Sequence, residues 1–268
     1  MVPPPMRYPS GRTRHRRSCG TRARHSSRRA ASMRLVITRP RKDAVALADR
    51  LERSGHSILI EPLLDIVPAS AQIPDLPYQA ILLSSAHAAR QLAGFAFLHG
   101  IPVLTVGEKT AAAASGSGFR NVTAAGGDAG SLLSLAGDRL SPEKGPVLYA
   151  SGKHIARDLK SDLEARGFGV VQRVVYEARP ADRLSEGVAA ALSRHELDGA
   201  VLLSARTARI WCSLVSQAGL AERLVGVTHF CLSNAVAEAV GCGCTVPLRV
   251  IVAAAPSVDS IMNRINAV

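Results

Sequence analysis

The sequence predicts an α/β protein of two similar lobes, each a parallel β-sheet flanked by helices, preceded by a disordered basic leader. Three observations predict it. Short β-branched runs alternate with amphipathic helical stretches from residue 34 onward, one nine-residue phrase occurs twice, and residues 1–32 have no apolar periodicity. At 268 residues and 47% hydrophobic, the chain is long enough to bury a substantial core, in one large domain or two ordinary ones.

The leader comes first. Residues 1–32 carry nine Arg and no Lys, Asp or Glu, so the formal charge of +12 falls to about +3 over the remainder. Nothing in this segment can build a core, and it is expected to be disordered. Three readings stay open for it: a leader ahead of a true start at Met33, an Arg- and Ser-rich transit peptide, or a basic arm for nucleic acid. Tyr8 is its only aromatic residue, which argues against stacking on bases, so nucleic acid is not the expected partner. No apolar run approaches the roughly 18 residues of a membrane span, and no secretory signal follows the basic run. A cytoplasmic protein without membrane contact is expected.

Strand candidates follow in order: residues 35–38, 57–61, 80–84, 102–106, 146–150, 169–177, 199–204, 228–232 and 249–253. The helical stretches between them carry apolar stripes. In RKDAVALADRLERSG the stripe is Val45, Leu47, Ala48 and Leu51, and Gly55 supplies the stop. Strand and helix alternating throughout describe parallel sheets covered on both faces.

The repeated phrase is AILLSSAHA (80–88) and AVLLSARTA (200–208), identical at five of nine positions. A shift of 112 lays residues 35–65 on 147–177 without a gap, and VGEKTAAAA (106–114) answers LSNAVAEAV (232–240). Three correspondences argue for an internal duplication. In open parallel sheets, ligands bind beyond the carboxyl ends of the strands, where loops lead into helix N-termini. A Ser placed there caps the helix and leaves backbone N–H groups and the positive end of the dipole facing an anion. Helix capping alone accounts equally well for either Ser taken singly.

The body resembles the uroporphyrinogen-III synthase family. The resemblance is carried by VITRP, LADRLERSGH and IEPLLDIVP within residues 36–68, then by ILLSSAHAAR, VLTVGEKTAAAASGSGF, VLYASGK, VVYEARP (174–180) and VLLSARTA. It covers residues 34–268 and implies two α/β lobes joined by a two-stranded connector. One lobe would combine 34–59 with 178–268, the connector would be 60–67 and 171–177, and the other lobe would span 68–170. The repeat alone would have suggested a tandem cut near residue 145.

The resemblance also implies an activity: a lyase that cyclises hydroxymethylbilane, a linear tetrapyrrole with eight carboxylates, to uroporphyrinogen III. Ring D is inverted and water is lost, in tetrapyrrole (haem, sirohaem, cobalamin or chlorophyll) biosynthesis, without metal or cofactor. Candidate binding residues lie where strands give way to helices: Thr38, Arg39, Ser84, Ser85, Gly107, Thr110, Ser151, Gly152, Lys153, Ser204, Ala205, Ser233 and Asn234. Gly127 and Ser131 border the cleft by the same resemblance. Tyr176 matches the family's connector Tyr and is the catalytic candidate; from the sequence alone a half-buried strand Tyr explains it equally well. One departure stands out: GEKT (107–110) keeps the family's Gly-x-x-Thr turn, whereas SNAV (233–236) places Ser233 and Val236 at its ends.

Other residues read as ordinary. AAGGDAGS (124–131) lacks the spacing of a dinucleotide or P-loop motif. His87, His154, His195 and His229 are scattered and read as surface or packing residues, and Trp211 reads as core. The five cysteines, Cys19, Cys212, Cys231, Cys242 and Cys244, show no paired framework and no complete metal set. A monomer is expected. The competing function is a two-lobed binding module that closes on an anionic small molecule without transforming it.

Overall fold

The computed structural model describes Met1 and residues 32–155 and 157–268. The expectations for the leader fall on residues 2–31 and lie outside the described residues. The elements run β1 (Arg34–Ile37), α1 (Arg41–Arg53), β2 (Ser57–Ile60), β3 (Leu64–Pro68), β4 (Ala80–Leu83), α2 (Ala86–Leu92), β5 (Val103–Thr105), α3 (Glu108–Ser115), β6 (Val122–Ala124), α4 (Ala129–Arg139), β7 (Val147–Gly152) and α5 (Leu159–Glu164). They continue with β8 (Val170–Pro180), α6 (Glu186–Ser193), β9 (Gly199–Leu202), α7 (Ala205–Gln217), β10 (Thr228–Cys231), α8 (Asn234–Gly243), β11 (Arg249–Val252) and α9 (Val258–Asn266).

Two sheets form. One has the order β11-β10-β9-β1-β2 and is parallel throughout; the other is β3-β8-β7-β4-β5-β6, parallel except for the β3/β8 pair. The sequence repeat is written into these orders. The phrase at 80–88 contributes β4 and its copy β9, and the 112-residue shift carries β1 and β2 onto β7 and β8. Read from one edge, β2-β1-β9-β10-β11 therefore matches β8-β7-β4-β5-β6 strand for strand. The two lobes share a spatial plan but visit it in different chain orders.

Burial explains why the strands read as continuous apolar runs. Leu35, Ile37, Val201 and Phe230 face α1 and α9 on one side of the first sheet, while Val36, Ala200, Leu202 and Cys231 pack with α6, α7 and α8 on the other. In the second sheet Ile81, Leu83, Leu148 and Ala150 pack with α2 and α3, and Ala80, Leu82, Val147 and Tyr149 pack with α4 and α5. Each of the central strands alternates between two dry faces, so no polar period survives in its sequence.

The connector is the antiparallel pair β3/β8, in register from Leu64↔Pro180 to Pro68↔Tyr176. Its ends are pinned to the first lobe. The buried Glu61 carboxylate accepts from Ser185 N (2.7 Å) and Ser185 Oγ (2.5 Å), and Arg206 Nη2 donates to Ala178 O at 2.7 Å.

Three expectations need correction. β3 and β6 were absent from the strand candidates: β6 is three residues long at a sheet edge, and β3 has one Asp and one Pro among five residues, so neither shows a β run. On α1, Val45 is exposed and Ala44 takes its place, because the buried stripe is Ala44, Leu47, Ala48 and Leu51 at the helical spacing. Cys212 and Cys244 are paired as a disulfide across 32 residues, with Cα atoms 5.5 Å apart, because α7 packs beside the end of α8. Cys231 and Cys242 are free. His229 and Trp211 are both fully buried packing residues, as expected, with His229 accepting from Trp211 Nε1 at 3.3 Å. Among the described residues no helix is long and apolar enough to cross a membrane.

Candidate active site

Parallel pairing places the carboxyl ends of β1, β9 and β10 together on one sheet and those of β4, β5 and β7 together on the other. The predicted residues lie at these ends. Ser204 caps α7 by accepting from Thr207 N at 3.1 Å, Ser85 accepts from His87 N at 3.1 Å, and Ala205 is the first residue of α7. Gly107 precedes α3, and its backbone closes onto Gly127, where an added Cβ would meet Gly127 Cα at 3.1 Å. Gly127 itself adopts φ 109°, open to glycine and strained for other residues. Ser233 precedes α8 but its hydroxyl makes no cap bond, so the N–H groups of Asn234 and its neighbours are not capped by it. Thr110 and Val236 occupy the same place in the first turns of α3 and α8, and both are buried.

Several predicted hydroxyls are committed inside the fold. Thr38 is fully buried and donates to Val201 O at 3.0 Å, tying β1 to β9. Ser151 is fully buried and accepts from Gln172 Nε2 at 3.1 Å. Ser131 belongs to a capping box with Asp128: its N–H donates to Asp128 Oδ1 at 2.7 Å and its hydroxyl to Asp128 O at 2.8 Å. Ser84 lies 3.4 Å from the Tyr149 phenol. Lys153 pairs with Glu177 at 2.8 Å.

Tyr176 owes its direction to a β-bulge. Ser151 opposes Val174 but Gly152 opposes Tyr176, so β8 holds one extra residue against β7. A bulge reverses the face on which following side chains emerge. Val175 is turned into the core and Tyr176 is left half-buried, its carbonyl accepting from Lys153 N at 2.9 Å. Gly152 makes room for the ring. A Cβ at Gly152 would lie 2.6 Å from Tyr176 Cζ and 2.8 Å from its phenol oxygen. The His87 ring lies on the phenol's neighbouring side, with centroids 5.5 Å apart and planes tilted by 56°.

His87 leads to a cluster that the sequence did not reveal. Its Nε2 is 3.4 Å from Asp43 Oδ2, and its Nδ1 lies 3.3 Å from Arg90 Nη1. The ring thus turns Nε2 to the Asp43 carboxylate and Nδ1 to a guanidinium, which can only donate. Asp43 also meets Arg90 at 3.6 Å, Arg39 at 3.8 Å and Lys109 at 3.9 Å. The hydrogen bond from His87, followed by the charges of Lys109 and Arg39, holds the Asp43 carboxyl well below the usual carboxylate range although burial opposes this. Partial burial, and then the charge of Arg39, lower the Lys109 ammonium from its ordinary value. Asp43 and Arg39 follow β1, whereas His87 and Arg90 are on α2 and Lys109 on α3, so the carboxyl ends of the two sheets face each other across this cluster. A cavity of about 470 Å³ borders it, lined by Pro40, Lys42, Leu64, Ile66, His87 and Arg90 among others. Another of about 370 Å³ includes Arg39, Lys42, Asp43 and Lys109. Among the described residues no group of three or more His, Cys, Asp or Glu is placed to hold a metal ion.

A family model described as uroporphyrinogen-III synthase HemD matches residues 45–263, most of the chain. The chain belongs to the uroporphyrinogen-III synthase family. The fold is shared with a uroporphyrinogen-III synthetase from Helicobacter pylori, at TM-score 0.60 and 18% identity over 87% of this chain and 97% of that one. It is shared too with a mutant uroporphyrinogen III synthase from Thermus thermophilus, at TM-score 0.51 and 21% identity over 88% and 98% of the two chains. No curated protein sequence matches the chain. As a uroporphyrinogen-III synthase family member the chain is a cyclising lyase of tetrapyrrole biosynthesis. In a synthase the surfaces that matter are those able to grip a flexible polyanion.

Proposed function

We propose that hydroxymethylbilane binds between the carboxyl ends of the two sheets and that Tyr176 assists the departure of its hydroxyl group. The observation that carries this is the bulge at Val175, which presents the Tyr176 phenol beside Gly152 and His87 instead of burying it. The electron pair of the ring A pyrrole nitrogen expels the hydroxyl as water, with a proton supplied by the phenol. Ring D then attacks the exposed methylene through its substituted α-carbon, giving a spirocyclic pyrrolenine. That intermediate breaks at the bond from its spiro carbon to the ring C methylene and recloses there at the remaining α-carbon of ring D, whose proton is lost to restore the pyrrole and returns to the Tyr176 phenolate. One molecule of water is lost overall, and no oxidant, metal or cofactor enters the balance.

Because the substrate generates its own electrophile, the protein's share is to bring the chain ends together and stabilise developing charge. Backbone N–H groups at the starts of α1, α3, α7 and α8 serve the carboxylates. Thr38, Ser151 and Ser131 act by shaping these loops, since their hydroxyls are already bonded within the fold. The lobes of this reading are 34–59 with 178–268 and 68–170, closing about a hinge at 60–67 and 171–177. The enzyme works as a monomer in the cytoplasm.

Backbone hydrogen exchange with and without uroporphyrin III tests the placement. Protection at residues 38–43 and 204–208 together with 84–90 and 107–110 is expected; protection confined to one lobe contradicts it. Turnover separates the synthase from a binding module, which would bind bilane and leave the spontaneous type I isomer unchanged.

A further inference from the structure

Three cationic side chains converge on Asp43 from both sides of the cleft: Arg39 from its own lobe, and Arg90 and Lys109 from the other. The Asp43 side chain is 9% exposed, and among the described residues no other carboxylate lies within 4.0 Å of any of the three. One carboxylate thus stands against two guanidiniums and an ammonium. The contacts are 3.6, 3.8 and 3.9 Å, whereas a charge-assisted hydrogen bond closes to about 2.7–2.9 Å. The cations gather around Asp43 without being bonded to it. Mutual repulsion would scatter them if nothing negative stood at their centre.

We infer that Arg39, Arg90 and Lys109 form a subsite for one substrate carboxylate, and that Asp43 is the resident anion holding its place, an assignment that rests on the synthase reading of the cleft. An incoming acetate or propionate group can form the bidentate guanidinium pair that Asp43, fixed in the first turn of α1, does not reach. The cavities beside the cluster give it room to enter. Asp43 keeps its hydrogen bond from His87 while it yields the cations, and the surplus positive charge accommodates both carboxylates together. Asp43 is therefore a positioning residue that competes with substrate. Removing its charge should improve ground-state binding, a sign opposite to that of a mere latch between lobes.

The full-length chain and its Asp43→Asn, Lys109→Gln and Arg90→Gln variants are compared in two ways: KM and kcat for type III formation, and binding of uroporphyrin I, an inert macrocycle with eight carboxylates, by fluorescence titration. Asp43→Asn is expected to lower KM and the uroporphyrin Kd about fivefold with kcat little changed, and Lys109→Gln and Arg90→Gln to raise both about fivefold. Lys109 is largely exposed, so its variant tests the subsite even where Asp43→Asn fails to fold. An unchanged or raised Kd in folded Asp43→Asn, or an unchanged Kd in Lys109→Gln, overturns the assignment. The titration needs no turnover: a wild-type chain that binds uroporphyrin but forms no type III product refutes the synthase reading and leaves the binding result to decide the subsite. Failure of the wild type to bind the macrocycle overturns the subsite as well.

Discussion

Replacing Gly152 by Ala should disable Tyr176 while leaving the fold intact. The added Cβ would lie 2.6 Å from Tyr176 Cζ, 2.8 Å from the phenol oxygen and 2.9 Å from Cε2, against ordinary contacts beginning at 3.4 Å. The ring must therefore withdraw by about 1 Å, a displacement that costs on the order of 10²-fold in rate when the displaced group is aligned with the reaction. What meets the methyl group is the far end of a side chain, so the backbone of β7 and β8 need not move and the melting temperature should shift by a few degrees at most. The assay is kcat and KM for type III formation, with thermal unfolding as the control for folding. Combining Gly152→Ala with Tyr176→Phe decides whether the effect passes through the ring. The double variant should be no slower than the slower single variant, because groups that act as a unit are not additive. Wild-type kcat in Gly152→Ala, or a double variant slower by the product of both single effects, would refute the reasoning.

Tyr176→Phe itself should slow turnover by about 10²-fold without unfolding the protein, the low end for a lost proton donor; unchanged kinetics would remove Tyr176 from the chemistry. Burial lowers His229 to a pKa of about 4 from 6.5. Between those values the unfolded chain takes up a proton that the folded chain refuses, so stability is complete above pH 6.5 and falls by roughly 3 kcal/mol as pH drops to 4. Urea unfolding at pH 7, 5.5 and 4 should show this slope and His229→Gln should flatten it; equal slopes in both proteins would contradict it. Asp43, whose carboxyl is depressed, adds its own loss only as pH falls below its unfolded value of 3.8. Ser204→Ala should cost about 1 kcal/mol of stability because it removes a cap, whereas Ser233→Ala, which removes none, should cost less and raise KM. Equal destabilisation by both would refute the distinction.

The two-lobed fold was legible because its strands are buried on both faces. Burial of that kind forces unbroken apolar runs at 80–84 and 199–204, and a duplicated backbone preserved the phrase that follows each. Short edge strands such as β6 lack such a core and left no trace. The capping serines were legible for the same local reason: a strand end and a helix start lie within a few residues. Asp43, His87, Arg90 and Lys109 were not, since their meeting depends on how two lobes face each other and no spacing along the chain encodes that. His87 looked like a surface or packing residue because a lone His between Ala residues carries no pattern. The Cys212–Cys244 pair was hidden likewise by the contact of α7 with α8. The bulge at Val175 breaks the two-residue period of β8 by one residue, too small a signal to read in VVQRVVYE, yet it decides where Tyr176 points.

The most direct test of the account is the isomer formed from hydroxymethylbilane. The full-length chain, and separately a chain begun at Met33, would be supplied with bilane generated in situ, and the products oxidised and separated by chromatography. The account predicts predominantly type III uroporphyrin from both proteins. Type I alone from both would contradict it, because a cleft that binds the bilane without directing inversion of ring D is not a synthase.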